Sequence, residues 1–321
     1  MLAISIYSGP NLAGSGPIQK AFADRVTVAM RRLGHPLCAG LDPHLDRFPP
    51  LFRRGGMAPE APETAAAVEA FCLAILDRLA GRVAIVKPQI AFFERLGWRG
   101  MQVLEGVVAA ARERGLLVLL DAKRGDIGST ARGYAEAYLG SEAVLPVDAI
   151  TANPYLGLDA LEPFVNAAGE TGAGVFVLVK TSNPGSGDFQ DRSLGGKPLY
   201  ERVAESLAGF AERISGPETG WSSLGAVVGA TYPEVHQRIR VLLPRALFLV
   251  PGYGAQGGGA KEAVAGFVPG PAGRLEGGLV NSSRGILFPP GSDTDHVSSW
   301  ERAVDEALDR AIGELGEAVS A

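Results

Sequence analysis

Asp121, Lys123 and Asp126 fall together in the stretch Asp121-Ala-Lys-Arg-Gly-Asp-Ile127. Two acids and a base so close form a preorganised charged site, able to stabilise charge that develops during a reaction. The preceding run, Leu116 to Leu120, is apolar and reads as a buried parallel strand. Residues two apart on a strand share a face, so Asp121 and Lys123 point the same way. Asp126 lies just past the strand, where a helix should begin. A surface turn with solvated charges is the plain alternative. The apolar run leading directly into Asp121 argues against it, because a buried charge must be paired or relocated.

The elements that would hold such a site recur along the chain. Eight short apolar runs, each ending in a polar or Gly-rich turn, span 36–43, 82–89, 116–123, 147–153, 174–182, 225–231, 246–252 and 278–284. Helical spacing of apolar residues predicts helices over 63–80, 100–114, 198–214, 232–243 and 297–315. Strand-helix alternation predicts a parallel sheet, and eight units predict a closed (β/α)8 TIM barrel. A doubly wound sheet is the alternative, weakened because no G-x-G-x-x-G follows the first strand. Residues 1–20, rich in Gly, Ser and Pro, read as a loose arm, and 21–321 as a single barrel domain. Two connections are long: 44–62, expected to cover the mouth after strand one, and the Gly-rich 183–197 after strand five, expected to act as a lid.

Barrel chemistry sits at the carboxyl ends of the strands. Those ends carry Asp42; Lys87 and Gln89; Asp121 and Lys123; Asn153; Lys180 and Ser182; Thr231; Gly252 to Gln256; and Asn281 with Arg284. The last two units add Pro251-Gly-Tyr-Gly-Ala-Gln-Gly-Gly-Gly259 and Asn281-Ser-Ser-Arg-Gly285. Exposed backbone N–H groups beside a guanidinium suit a phosphate. None of the four histidines has metal-ligand spacing, so no metal is expected, and no G-x-S-x-G elbow marks a serine hydrolase. The chain has 321 residues, 46% of them hydrophobic, and a net charge of −5 with no long basic run, which makes nucleic acid and anionic membrane poor partners. Cys38 and Cys72 read as free buried thiols in a reducing cytoplasm.

These residues resemble the orotidine 5′-phosphate decarboxylases. Asp121-Ala-Lys-Arg-Gly-Asp-Ile127 matches their D-x-K-x-x-D-I signature. Gly40-Leu-Asp-Pro43, Val86-Lys-Pro-Gln89, Thr181-Ser-Asn-Pro-Gly185, Pro251-Gly-Tyr-Gly-Ala-Gln-Gly257 and Ser283-Arg-Gly-Ile286 follow the family order. The length resembles the larger bacterial subgroup. Gly128 stands where many compact members have proline, and the loop after Ser182 is longer. The resemblance implies a (β/α)8 homodimer, without metal or organic cofactor, that converts orotidine 5′-phosphate to UMP and CO2. It also implies roles by position. Lys87, Asp121 and Lys123 form one subunit's charge network, which Asp126 completes from the partner, with Ile127 and Thr130 beside it. Asp42 and Lys87 hold the ribose hydroxyls and Ser182 reads the pyrimidine edge. Gln256 and Arg284 hold the phosphate, and Pro251 and Ser283 are further substrate-binding positions. Lys123 would stabilise the carbanion at C6 and protonate it. The competing readings are a Schiff-base sugar-phosphate aldolase using Lys123, Lys87 or Lys180, and a catalytically silent barrel that binds a phosphate ligand.

Overall fold

Each of the eight apolar runs forms a parallel strand: β1 (Leu37–Leu41), β2 (Ile85–Pro88), β3 (Leu117–Arg124), β4 (Ala149–Ala152), β5 (Gly174–Lys180), β6 (Ser222–Val228), β7 (Ala246–Val250) and β8 (Gly278–Ser282). The computed structural model describes residues 20–254, 257–271 and 273–320. Each strand pairs with its sequence neighbours and β8 returns to β1, so the sheet closes into the expected barrel. Strands covered on both faces are mostly apolar, with their charged and polar residues gathered mainly toward the carboxyl ends, which is why the runs show little alternation.

Around the barrel run α1 (Phe22–Leu33), α2 (Pro62–Leu79), α3 (Gly97–Glu113), α4 (Gly128–Leu139), α5 (Leu158–Thr171), α6 (Leu199–Arg213), α7 (Pro233–Leu242) and α8 (Val297–Ala318). Five of these match the helices expected from apolar spacing, and α4 begins just beyond Asp126. The spacing argument missed α1 and α5. Helix α1 closes the amino-terminal end of the barrel. Its Phe22, Val26 and Met30 pack with Ile85, Leu119, Phe176, Leu247 and Leu279 inside the barrel. Phe22 meets Phe176 edge-on at 5.8 Å. A second apolar layer lies between the strands and the outer helices. With its bottom filled by side chains, the barrel is open at the carboxyl ends of the strands.

The first of the two long connections differs from expectation. Residues 44–62 do not cover the mouth. Phe48 and Phe52 pack against Phe71 of α2, and Phe52 also meets Trp300 of α8, so aromatic burial pulls this segment onto the outer helices. The connection after β5 is an arm with local structure of its own. It contains a 3-10 turn, Pro184–Asp188, and a small hairpin pairing Ser193–Leu194 with Lys197–Pro198. Gly195 and Gly196, both at positive φ, make the hairpin turn. Arg202 of α6 donates to the carbonyls of Leu194 and Gly195 and holds the hairpin down. Apart from Lys20, the amino-terminal arm lies outside the described residues.

Candidate active site

A cavity of about 510 Å³ opens at the carboxyl ends of the strands. Its walls include Asp42, Lys87, Gln89, Asp121, Lys123, Ser182, Pro251, Asn281, Ser283 and Arg284, and its floor includes Leu178, Val227 and Leu249. A groove of about 940 Å³ between α4 and α5 is larger, but it lies outside the barrel and receives no strand end.

Asp121 is the hub of the cavity. Lys87 Nζ donates to its Oδ2 at 2.8 Å, and Lys123 Nζ donates to its Oδ1 at 2.6 Å. Lys87 and Asp121 are buried, whereas the Lys123 side chain is 45% exposed toward the opening. Burial alone would raise the Asp121 carboxyl, but the two ammonium groups outweigh it and hold the acid well below the usual carboxylate range. Burial alone would lower Lys87, but Asp121 and then Asp42 outweigh it and raise the ammonium above its ordinary value.

The sequence put Asp121 and Lys123 on one face by strand period. The structure brings them together through an irregularity instead. Leu120 pairs with Ile150 and Arg124 with Ala152, so residues 121–123 of β3 stand opposite the single residue Thr151. Lys123 takes a φ of 48° inside this bulge. Thr151 stabilises it: its Oγ1 accepts from the N–H groups of Ala122 and Lys123 at 3.0 and 2.8 Å, and donates to Asp121 Oδ1 at 3.0 Å. Sequence reasoning missed Thr151 and chose Asn153. Asn153 does not line the cavity; its Oδ1 accepts from the Tyr155 N–H in a local turn. Thr231 and Lys180 also lie outside the lining. The available signal was parity, since Thr151 sits two residues before the end chosen for strand four.

Gly40 of β1 must lack a side chain, because a Cβ there would overlap Ser283 Oγ in the turn after β8. Asp42, two residues later, keeps one buried carboxylate oxygen without a hydrogen-bond partner. Across the mouth, Tyr253 donates its hydroxyl to Glu314 Oε2 at 2.6 Å, tying the turn after β7 to α8. Gln256 lies outside the described residues. Asp126, Ile127 and Thr130 do not line this cavity. Asp126 Oδ1 accepts from the Ile127 N–H at 2.8 Å, and Ile127 is 58% exposed. Among the described residues no group of three or more His, Cys, Asp or Glu is placed to hold a metal ion, and no helix is long and apolar enough to cross a membrane.

The family model for orotidine 5′-phosphate decarboxylase / HUMPS matches residues 35–294, a span that holds every cavity residue above. The chain belongs to the orotidine 5′-phosphate decarboxylase / HUMPS family. It is 45% identical over 294 residues to the orotidine 5′-phosphate decarboxylase of Rhodopirellula baltica, an alignment covering 89% of this chain and 96% of that one. It is 40% identical to the Deinococcus radiodurans decarboxylase, over 91% of this chain and 98% of the other. The solved structure of Leishmania donovani OMP decarboxylase superimposes with a TM-score of 0.72 at 33% identity, covering 94% of this chain and 99% of that chain.

Proposed function

We propose that this chain decarboxylates orotidine 5′-phosphate to UMP and CO2, the last step of de novo UMP synthesis, in the cytoplasm and without a metal or organic cofactor. The observation that carries the reading is the Asp121 carboxylate shared by two ammonium groups at the wall of the strand-end cavity. In the proposed reaction the bond from C6 to the carboxylate breaks, CO2 leaves, and the electron pair stays on C6. The Lys123 ammonium stabilises that charge as it develops and then gives C6 its proton. The neutral amine regains a proton from water. Asp121 holds Lys123 in place, and Lys87 fixes Asp121 from its other oxygen. The acid also disfavours the substrate carboxylate before it leaves, and phosphate binding offsets that repulsion.

Asp42 and Lys87 serve the ribose hydroxyls in this reading, Ser182 the pyrimidine edge, and Arg284 and Gln256 the phosphate, with Pro251 and Ser283 at the same wall. Asp126, Ile127 and Thr130 act in the site of a second copy, which makes the working unit a homodimer. Two observations support this. None of the three lines its own cavity. Ile127 is also one of several exposed apolar residues on the turns after β3 and β4, with Tyr155 and Leu156. The aldolase alternative loses support at two of its three candidate lysines. An imine-forming lysine must be neutral, yet Lys87 is raised by its carboxylates and Lys180 is outside the cavity. The direct test is to follow orotidine 5′-phosphate absorbance with purified protein in chelator-treated buffer. Conversion to UMP is expected, and no conversion by folded protein would overturn the reading.

A further inference from the structure

Lys180, at the end of β5, is a buried cation with no place in the cavity. It is 1% exposed, its Nζ donates to Asp191 Oδ1 at 2.6 Å, and it lies 4.6 Å from the ring centre of Tyr232. The neighbouring pair repeats the connection. The Thr181 N–H donates to Gln190 Oε1 at 2.9 Å, and Gln190 Nε2 donates to Thr181 Oγ1 at 2.9 Å. Thr181 Oγ1 then donates to Asn183 Oδ1 at 2.7 Å. The pairs 180–191 and 181–190 thus clamp the base of the arm at two successive residues. A buried ammonium is costly without its counter-charge, so the ion pair favours the arm folded against the strand end.

The clamp acts on Ser182, the next residue. On the opposite side Gly229, just past β6, donates its N–H to the Lys180 carbonyl at 2.8 Å. A Cβ at Gly229 would stand 2.8 Å from Ser182 Cα and Cβ. Ser182 is therefore held between a glycine that permits close approach and a threonine fixed by Gln190. Gln190 itself lines the cavity with Ser182 and Asn183.

We propose that Gln190 is a positioning residue for recognition of the pyrimidine, acting through Thr181 on Ser182, with Lys180 and Asp191 holding the arm that carries it. The proposal rests on the nucleotide reading of the cavity given above. It separates base recognition, at the β5 side, from phosphate recognition, at the β7 and β8 side.

The test is the affinity of the full-length chain for UMP and for ribose 5-phosphate, measured by calorimetry on wild type, Gln190→Ala, Thr181→Val and the double variant. Each single variant is expected to bind UMP about tenfold more weakly, the size of one or two lost hydrogen bonds. Ribose 5-phosphate affinity should not change, and the double variant should lose no more than either single one. Unchanged UMP affinity, or equal weakening of both ligands, would overturn the proposal. Thr181→Val keeps the side-chain volume and probes the same contact from its other end should Gln190→Ala fail to fold. Wild type that binds UMP yet leaves orotidine 5′-phosphate intact would overturn the decarboxylase reading alone. Wild type that binds neither ligand would overturn both.

Discussion

Lys123 reaches back to the carboxylate two residues before it, donating from Nζ to Asp121 Oδ1 at 2.6 Å from a backbone turned to a φ of 48°. A non-glycine residue in the left-handed region persists only where its surroundings hold it. Thr151 does so by accepting the N–H groups of both Ala122 and Lys123. The strained backbone and the charged hub are thus a single local device, which fixes the ammonium before any substrate arrives.

Replacing Lys123 with Ala should remove more than about a thousandfold of kcat, since both charge stabilisation and proton donation are lost. The fold should survive, because Asp121 keeps its bond to Lys87. Near-normal kcat in a variant with wild-type melting behaviour would remove Lys123 from the reaction.

Asp121→Asn should be destabilising as well as inactive. It leaves the buried Lys87 ammonium without its carboxylate, a loss of about 3–5 kcal/mol for a broken buried pair. Denaturant unfolding would measure it. The Asp121 acid is depressed in the folded state, so its contribution is present above the unfolded value of about 3.9 and fades only as pH falls through the lower folded value. Lys87 is raised, so its contribution is present below the unfolded value of about 10.4 and fades as pH rises through the folded value. The stability difference between wild type and Asp121→Asn should therefore be flat from about pH 5 to 7. A difference that shrinks toward pH 5 would contradict the charged hub.

Arg284→Ala should raise KM by about tenfold to a hundredfold, the size of a charged hydrogen bond to phosphate. A smaller fall in kcat would accompany it if binding at the phosphate helps offset repulsion at the reacting carbon. Steady-state kinetics with an unchanged kcat/KM would exclude Arg284 from the site.

The strands were legible because burial on both faces writes each one as an uninterrupted apolar run. The charged hub was legible because Asp121 follows such a run directly. Parity put Thr151 on the same face as Asn153, but its place opposite residues 121–123 was not legible, because the bulge in β3 shifts the register and leaves no mark in composition. Helix α5 was hidden by Pro163 within its span. The arm after β5 reads as a lid from its length and glycines, and nothing local shows what holds its base. Its order comes from Lys180 meeting Asp191 and Thr181 meeting Gln190, tertiary contacts that no local pattern announces.

The composite site is tested most directly by complementation. Asp126 is only partly buried, bonds the next backbone N–H, and does not line its own cavity. Inactive Lys123→Ala and inactive Asp126→Ala proteins would be mixed in equal amounts, with subunit exchange verified by mass on differently tagged chains. Each mixed dimer carries both lesions in one site and neither in the other, by the two-fold symmetry of an isologous pair. Half the dimers are mixed at random pairing, so decarboxylation should return to about one quarter of the wild-type rate per total site. No return of activity after proven exchange would mean that Asp126 serves its own chain, and the shared site would be wrong.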